Sequence, residues 1–345
     1  GMLIDHAQSL VKDVIPPPSL ALKRQALEKA GQLYASRGWT GLANMSVKTE
    51  DHALLAALAK EGRFGLRVDN YMDPSAAALV LSFGPFEDKT GLIRVRGIKL
   101  YMDGALGSRG AALLEPYSDA EGRGLQLTER DKGLSLMKKA KAVNAQVAMH
   151  AIGDRGNRMT LDWFEEALAG DTTARWRIEH AQIVADTDLP RFSKLGVIAS
   201  MQPSHAIGDL YFAPARLGKD RLHEGYRWKD FLKAGVVVAA GSDAPVEVGD
   251  PRIEFYAAVY RHSLDGFANA DWHLEEAVTR AQALKMLTLA PAYAAFREKD
   301  LGTLEAGKKA DLTAFDKDLM TIEPKAILTA QPVLTIVDGK VAFAR

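Results

Sequence analysis

The feature that most constrains this chain is a repeated alternation: a short β-branched or apolar run, a loop, then a longer amphipathic stretch. Seven such runs are present, at residues 40–47, 64–71, 98–103, 146–152, 177–184, 197–202 and 236–242. A strand that hands over to a helix cannot fold straight back as a hairpin, so each run must return parallel to the one before it. The pattern predicts an α/β fold built on a parallel sheet of βα units. Seven strands are one short of the eight of a TIM-type (β/α)8 barrel.

Helix signals fill the gaps. Ser19, behind three prolines, is an N-cap for a helix whose apolar face is Leu22, Ala26, Leu27, Ala30, Leu33 and Tyr34, and Gly38 stops it. Residues 128–143 read as a helix opened by Thr128 and Asp131 in a capping-box-like pair, and 155–168 as one capped by Asp154. Beyond Leu301 the rhythm changes to short strands broken by Gly and Asp. There Asp338-Gly339, between residues 333–337 and 340–343, predicts a type I′ hairpin. The chain thus divides into a barrel domain, 1–299, and a small separate sheet, 300–345.

Charge narrows the partners. Lys+Arg and Asp+Glu are both 44, so the formal net charge is zero, and neither nucleic acid nor an anionic membrane is implied. With no cysteine there can be no disulfide and no thiolate metal site, which leaves imidazole, carboxylate or a modified amine to hold any cation. No apolar run is long enough to span a bilayer, the start lacks the layout of a secretory signal, and Gly1 ahead of Met2 reads as an expression-tag remnant. The expectation is a cytoplasmic protein.

In a closed parallel barrel the active site lies at the carboxyl ends of the strands, so polar residues that interrupt a run just before its loop are the candidates. Four qualify: Lys99 in Ile98-Lys99-Leu100, His150 ending Ala148-Met149-His150, His180 ending Ile178-Glu179-His180, and Asp243 after Gly241-Ser242. Imidazole and carboxylate suit a borderline cation such as zinc, and Lys99, if its amine is neutral, can be carboxylated by carbon dioxide into a bridging carbamate. Each also has a plain structural reading. Strand-end histidines are often satisfied core or loop residues, Lys99 can pair with Asp103 or Glu179, and Asp243 can cap a helix. His205, after the sixth run, is a candidate to hydrogen-bond a substrate carbonyl or leaving group. Arg109 and Tyr117, on the loop after Lys99, are candidates for substrate binding, with Arg109 able to fork onto a carboxylate. Asp103-Gly104 reads as a turn shaper, and Trp228, Phe231, Phe255 and Tyr256 as core.

Taken in order, Ile98-Lys99-Leu100 with Asp103-Gly104-Ala105-Leu106-Gly107-Ser108-Arg109, His150-Ala151-Ile152-Gly153-Asp154, Arg177-Ile178-Glu179-His180-Ala181 and Gly241-Ser242-Asp243-Ala244-Pro245 resemble the amidohydrolase superfamily. Within it the similarity is to the YtcJ-like branch, which includes N-substituted formamide deformylases. The tail from Leu301-Gly302-Thr303-Leu304 to Ala310-Asp311-Leu312 fits the same superfamily, where it leads into a small β-sandwich, so 300–345 corresponds to a remnant of that domain. The resemblance implies hydrolysis of amide-type carbon–nitrogen bonds, other than peptide bonds, in a small-molecule substrate. It implies His150 and His180 as ligands of one or two divalent ions, zinc foremost, with Lys99 as the carbamate and Asp243 as both metal contact and general base.

One motif of the superfamily has no counterpart. No two of the eight histidines are separated by a single residue, so the His-x-His pair of the first barrel strand is missing, and Ile4-Asp5-His6 does not supply it. The chain is therefore expected to be a fragment, weakly active or inactive, whose missing strands come from elsewhere, for instance from a second copy in a homodimer. Two other readings stay open: a barrel enzyme in which Lys99 forms a Schiff base, and a non-catalytic remnant with a binding or structural role. The glycines between 104 and 110 lack the spacing of either nucleotide-binding motif.

Overall fold

Each of the seven runs becomes a strand. In chain order the strands are β1 (Gly41–Val47), β2 (Arg67–Met72), the two-residue β3 (Phe86–Glu87), β4 (Ile93–Tyr101), β5 (Gln146–Ala151), β6 (Arg177–His180), β7 (Ile198–Met201) and β8 (Val238–Ala240). The computed structural model describes residues 3–268 and 272–345, without the side chains of Asp5 and His6, so the expectation for His6 lies outside the described residues. All strands but β3 run parallel, in the order β1-β2-β4-β5-β6-β7-β8, and curl into a half-barrel, with β3 antiparallel on β4.

β1 and β8 are the two edges of this sheet. Side chains reach across the gap between them: Trp39 Nε1 donates to the Gly249 carbonyl at 2.9 Å, and the Arg37 guanidinium donates to that of Val248. Gly249 has φ +80°, and a Cβ there would sit 2.9 Å from Ala244 and 3.1 Å from the Tyr34 ring, so the crossing requires glycine.

Strands covered on both faces are apolar almost throughout. Val147, Met149 and Ala151 of β5 and Ile178 of β6 are fully buried, in one cluster with Trp228, Phe231, Phe255 and Tyr256. The helix Asp154–Leu168 shows why such elements form: Leu161, Phe164 and Leu168, at helical spacing, bury on one stripe against the sheet.

Three local expectations are corrected. The helix Leu20–Arg37 starts as predicted, with Ser19 accepting from Leu22 N, and ends at Gly38, φ +97°. Its buried face is instead Gly31 and Ala35, while Leu22 and Leu33 stay 54% and 46% exposed. The Phe64 ring comes so close that a Cβ at Gly31 would lie 2.8 Å from it, so the small residues turn inward. The helix expected over 128–143 is Arg130–Ala142 with Glu129 as N-cap, because the Thr128 hydroxyl donates to the Tyr101 carbonyl instead. Asp154 is the first helical residue rather than the cap. Its carboxylate accepts from Leu114 N at 2.8 Å and Arg155 N at 2.9 Å, tying down the long loop that follows β4.

The tail forms an antiparallel sheet of β9 (Leu312–Phe315), β10 (Pro332–Val337) and β11 (Lys340–Ala344), in the order β11-β10-β9. Asp338 and Gly339 have φ +51° and +75°, the two left-handed residues a type I′ turn demands. This sheet docks on the amino end of β2. Arg67 forks onto Asp311 at 2.6 and 3.0 Å and reaches Asp338 at 2.9 Å, while Val337 buries beside Leu55, Leu58 and Leu66. Burying that valine contributes about 1.5–3 kcal/mol. No helix among the described residues is long and apolar enough to cross a membrane.

Candidate metal centre

Parallel pairing puts the carboxyl ends of all seven long strands at one mouth, and strand register decides which side chains share a layer. Lys99 pairs with Ala148, Tyr101 with His150, His150 with Glu179, and Glu179 with Ser200. Tyr101, His150, Glu179 and Ser200 therefore line one ring of the interior, with Lys99 one layer below. The Lys99 ammonium lies 5.0 Å from the Tyr101 ring centre, and the Tyr101 and His150 rings are 5.6 Å apart.

Strict alternation would turn His180 away from this interior, since it follows Glu179. The backbone breaks the rule: His180 has φ +77° and Ala181 φ +42°, which ends β6 four residues short of the expected 184 and swings the imidazole over the mouth. Non-glycine residues in this region cost of order 1–3 kcal/mol each and persist only where the surroundings hold them. The His180 ring then lies 4.6 Å from that of His150 and 5.7 Å from that of His205, the latter stacked. His205 comes from the helix Pro203–Asp209, directly after β7. Asp243, φ +54°, comes from the loop after β8.

One donor atom from each of His180, His205 and Asp243 lies within 4.8 Å of the others. His180 Nδ1 faces Gln202 Oε1 at 2.8 Å. An amide oxygen can only accept, so Nδ1 carries the proton and Nε2 is left with a lone pair. His150 Nε2 and His205 Nε2 are buried without a hydrogen-bond partner, and His205 Nε2 lies 3.7 Å from Asp243 Oδ2. Buried nitrogens left bare are costly, and a divalent cation would satisfy them.

Protonation favours the same chemistry. Burial pulls His150 down to about 3 and His205 to about 4, and drives His180 well below the usual imidazole range, with neighbouring imidazoles and Lys99 adding to the effect on His150 and His180. Neutral imidazoles are the form that ligates metal. Burial also lowers Lys99 to about 8, against the opposing pull of Glu179 and Asp243. It raises Asp243 to about 6, against the pull of Lys99. Beneath the mouth Arg177 forks onto Glu179, which also accepts from the Ser200 hydroxyl at 2.7 Å, so this charged pair is internally satisfied.

The structure thus brings Lys99, His150, His180, His205 and Asp243 to one mouth. It engages Arg109 and Tyr117 elsewhere. Arg109 forks onto Asp119 at 3.0 and 2.9 Å, and the Tyr117 hydroxyl donates to the Ala111 carbonyl at 2.8 Å, so the structure engages both within the loop that follows β4. Asp103 is a turn shaper: fully buried, it accepts from Ala112 N and Gly153 N at 2.8 Å and Ile152 N at 2.9 Å, and burial lifts it to about 7 despite these bonds. Sequence reasoning missed Gln202, Tyr101 and Glu247. Tyr101 was detectable, because it stands two residues after Lys99 on the same strand face. Nothing in the local sequence marks Gln202 as the partner of His180, or brings Glu247 to 3.9 Å from His205.

Comparison with known proteins agrees with this geometry. The sequence profile of the amidohydrolase family matches residues 1–343. The YtcJ protein of Bacillus subtilis (strain 168) is 28% identical over 355 aligned positions, covering all of this chain and 66% of that protein. The N-substituted formamide deformylase of Arthrobacter pascens is 28% identical over 264 positions, covering 75% of this chain and 47% of that enzyme. The crystal structure of an uncharacterized metal-dependent hydrolase from Pyrococcus horikoshii OT3 superposes with a TM-score of 0.83 at 29% identity, over 92% of this chain and 64% of that one. The chain spans about two thirds of the length of YtcJ and of the Pyrococcus protein. With its profile matched from residue 1 to 343, this chain belongs to the amidohydrolase family.

Proposed function

We propose that this chain is a metal-dependent hydrolase of amide-type, non-peptide carbon–nitrogen bonds in a small molecule. The observation that carries the reading is the convergence of His180, His205 and Asp243, whose donor atoms lie within 4.8 Å of one another, with the His150 ring 4.6 Å from that of His180 and the Nε2 atoms of His150 and His205 bare. His150, His180 and Asp243 would hold a divalent ion, and a mixed imidazole and carboxylate set favours zinc. Lys99 would join them as a carbamate. An amine near 8 is about one-tenth neutral at pH 7, and that fraction forms an N–C bond to carbon dioxide with release of a proton.

When bound, the ion supplies a Lewis acid that polarises the substrate carbonyl and acidifies water. Asp243, raised toward neutrality, takes the proton of the water that attacks the carbonyl carbon. It then delivers that proton to the leaving nitrogen as the C–N bond breaks, giving a carboxylic acid and an amine. The named activity of the Arthrobacter relative, deformylation of N-substituted formamides, is one member of this class. Because the sequence has no His-x-His pair, two imidazoles of the superfamily's set are missing, and turnover below that of the longer relatives is expected.

Elemental analysis of the purified chain, with a panel of formamides, other amides and dipeptides assayed with and without added Zn²⁺, tests this. About one ion per chain and Zn²⁺-dependent amide hydrolysis are expected. Failure to retain any divalent ion would overturn the reading. The buried, partly neutral Lys99 also favours a second reading, a Schiff base with a carbonyl substrate. Borohydride trapping of a substrate on Lys99 would establish that reading in place of the first.

A further inference from the structure

We propose that His205 and Glu247 are themselves cation ligands, and that with His180 and Asp243 they form a four-donor site on the β6 to β8 side of the mouth. The proposal rests on the reading of His180 and Asp243 as ligands and extends it to two residues outside the set that the family resemblance implies.

Three observations carry it. His205 Nε2 is buried and makes no hydrogen bond, and Asp243 Oδ2 at 3.7 Å and Glu247 Oε1 at 3.9 Å are too far to accept one from it. The spacing suits an ion instead. A tetrahedral centre with bonds of about 2.0–2.1 Å separates its donor atoms by about 3.4 Å, close to the 3.7 and 3.9 Å spacings about His205, and a swing of the Glu247 carboxylate toward His180 would complete the shell. Charge closes as well: two neutral imidazoles and two carboxylates balance a divalent ion and leave no net charge at the mouth.

Glu247 has no hydrogen-bond partner among the described residues, and its carboxylate faces both His205 and the like charge of Asp243. A cation between the two carboxylates would turn that repulsion into attraction. The Asp243 and Glu247 side chains are 38% and 28% exposed, so an ion could enter from solvent on this side without opening the barrel. Imidazole nitrogens in the set select zinc, cobalt or a similar borderline ion over calcium or magnesium.

The test is a titration of the chelator-stripped 345-residue chain with Co²⁺, following visible absorption and the dissociation constant. His205→Gln and Glu247→Gln are expected to weaken Co²⁺ binding by more than about 100-fold, beyond the roughly 10–100-fold cost of losing a group that only orients a ligand, and to change the absorption spectrum. Glu247→Asp, which keeps a carboxylate, should recover most of the affinity. Glu247 is partly exposed on a loop, so its variants carry the test even if His205→Gln fails to fold. Wild-type affinity and spectrum in Glu247→Gln, alongside loss of binding in His150→Asn, would overturn this inference while leaving the proposed function standing. Absence of Co²⁺ and Zn²⁺ binding by the unaltered chain would overturn both.

Discussion

The two ends of the half-barrel treat buried charge in opposite ways. At the amino end of β2, Arg67 makes four hydrogen bonds, two to Asp311, one to Asp338 and one to the Gly91 carbonyl at 3.0 Å, and so locks the tail sheet against the strands. At the carboxyl end, Lys99 has no hydrogen bond among the described residues, His150 and His205 present bare nitrogens, and the like charges of Asp243 and Glu247 act on one another. The same chain can satisfy buried charge, as Arg67 and the Arg177 to Glu179 pair show. Bare imidazole nitrogens gathered beside carboxylates at the mouth therefore mark a place built to receive something.

The sharpest way to break this contrast is to remove a charge from each end. Asp243→Asn should lower kcat/KM by about 10²–10⁴-fold, the usual contribution of a positioned base, in an amide hydrolysis assay. Its folding stability should hold or rise, because the carboxylate is raised by burial and gains little from being charged. A loss of stability without a loss of turnover would make Asp243 a structural residue like those at the other end. Arg67→Met should do the reverse. It strands Asp311 beside the tail sheet, and breaking a buried pair costs about 3–5 kcal/mol, measurable by urea unfolding of the metal-free chain. Unfolding at wild-type denaturant concentration would show that the tail sheet is held by its apolar contacts alone.

A smaller effect tests whether the mouth is pre-organised for its ligand. Gln202 is buried, and its amide oxygen fixes which nitrogen of His180 is free. Gln202→Ala should weaken Zn²⁺ binding by about 10–100-fold in a competition titration with little change in the unfolding midpoint. Unchanged affinity would mean that His180 is oriented by its left-handed backbone alone.

The contrast also explains what could be read in advance. Strands were legible because alternation of apolar runs and amphipathic stretches forces parallel pairing, and Lys99, His150, His180 and Asp243 were legible as a set, because parallel pairing gathers residues at the ends of several runs at one mouth. The buried face of the helix Leu20–Arg37 was not, because hydrophobicity points to Leu22 and Leu33 whereas the space beside Phe64 admits only Gly31 and Ala35. Nor was the mechanism by which His180 reaches the mouth. Period-two alternation places it outside, and only a backbone turn with two left-handed residues reverses that. Glu247 escaped for a related reason: it lies in a loop, where spacing along the chain carries no information about direction.

The smallest expected effect separates the two ends by pH. Lys309 and Arg67 together hold Asp338 down to about 2, below an unfolded value near 3.9, so its contribution to stability is present above pH 4 and is lost as the pH falls toward 2. On the mouth side, burial pushes Asp209 up to about 6 although the Tyr226 hydroxyl and Gln182 Nε2 donate to it. A raised carboxyl has the opposite sign: its contribution is complete below about pH 3.9 and is lost as the pH rises through 6. Asp209→Asn should therefore leave stability at pH 4 unchanged and raise it by roughly 1 kcal/mol at pH 8, as the penalty of ionising a buried acid disappears. Asp338→Asn should show no change near pH 2 and a loss of about 0.5 kcal/mol at pH 6, the size expected of a half-exposed pair. Urea unfolding of both variants across pH 3–8 reads the two slopes directly. An equal gain for Asp209→Asn at pH 4 and pH 8 would show that this acid ionises as readily in the folded chain as in the unfolded one, and the mouth would then be strained by packing rather than by charge.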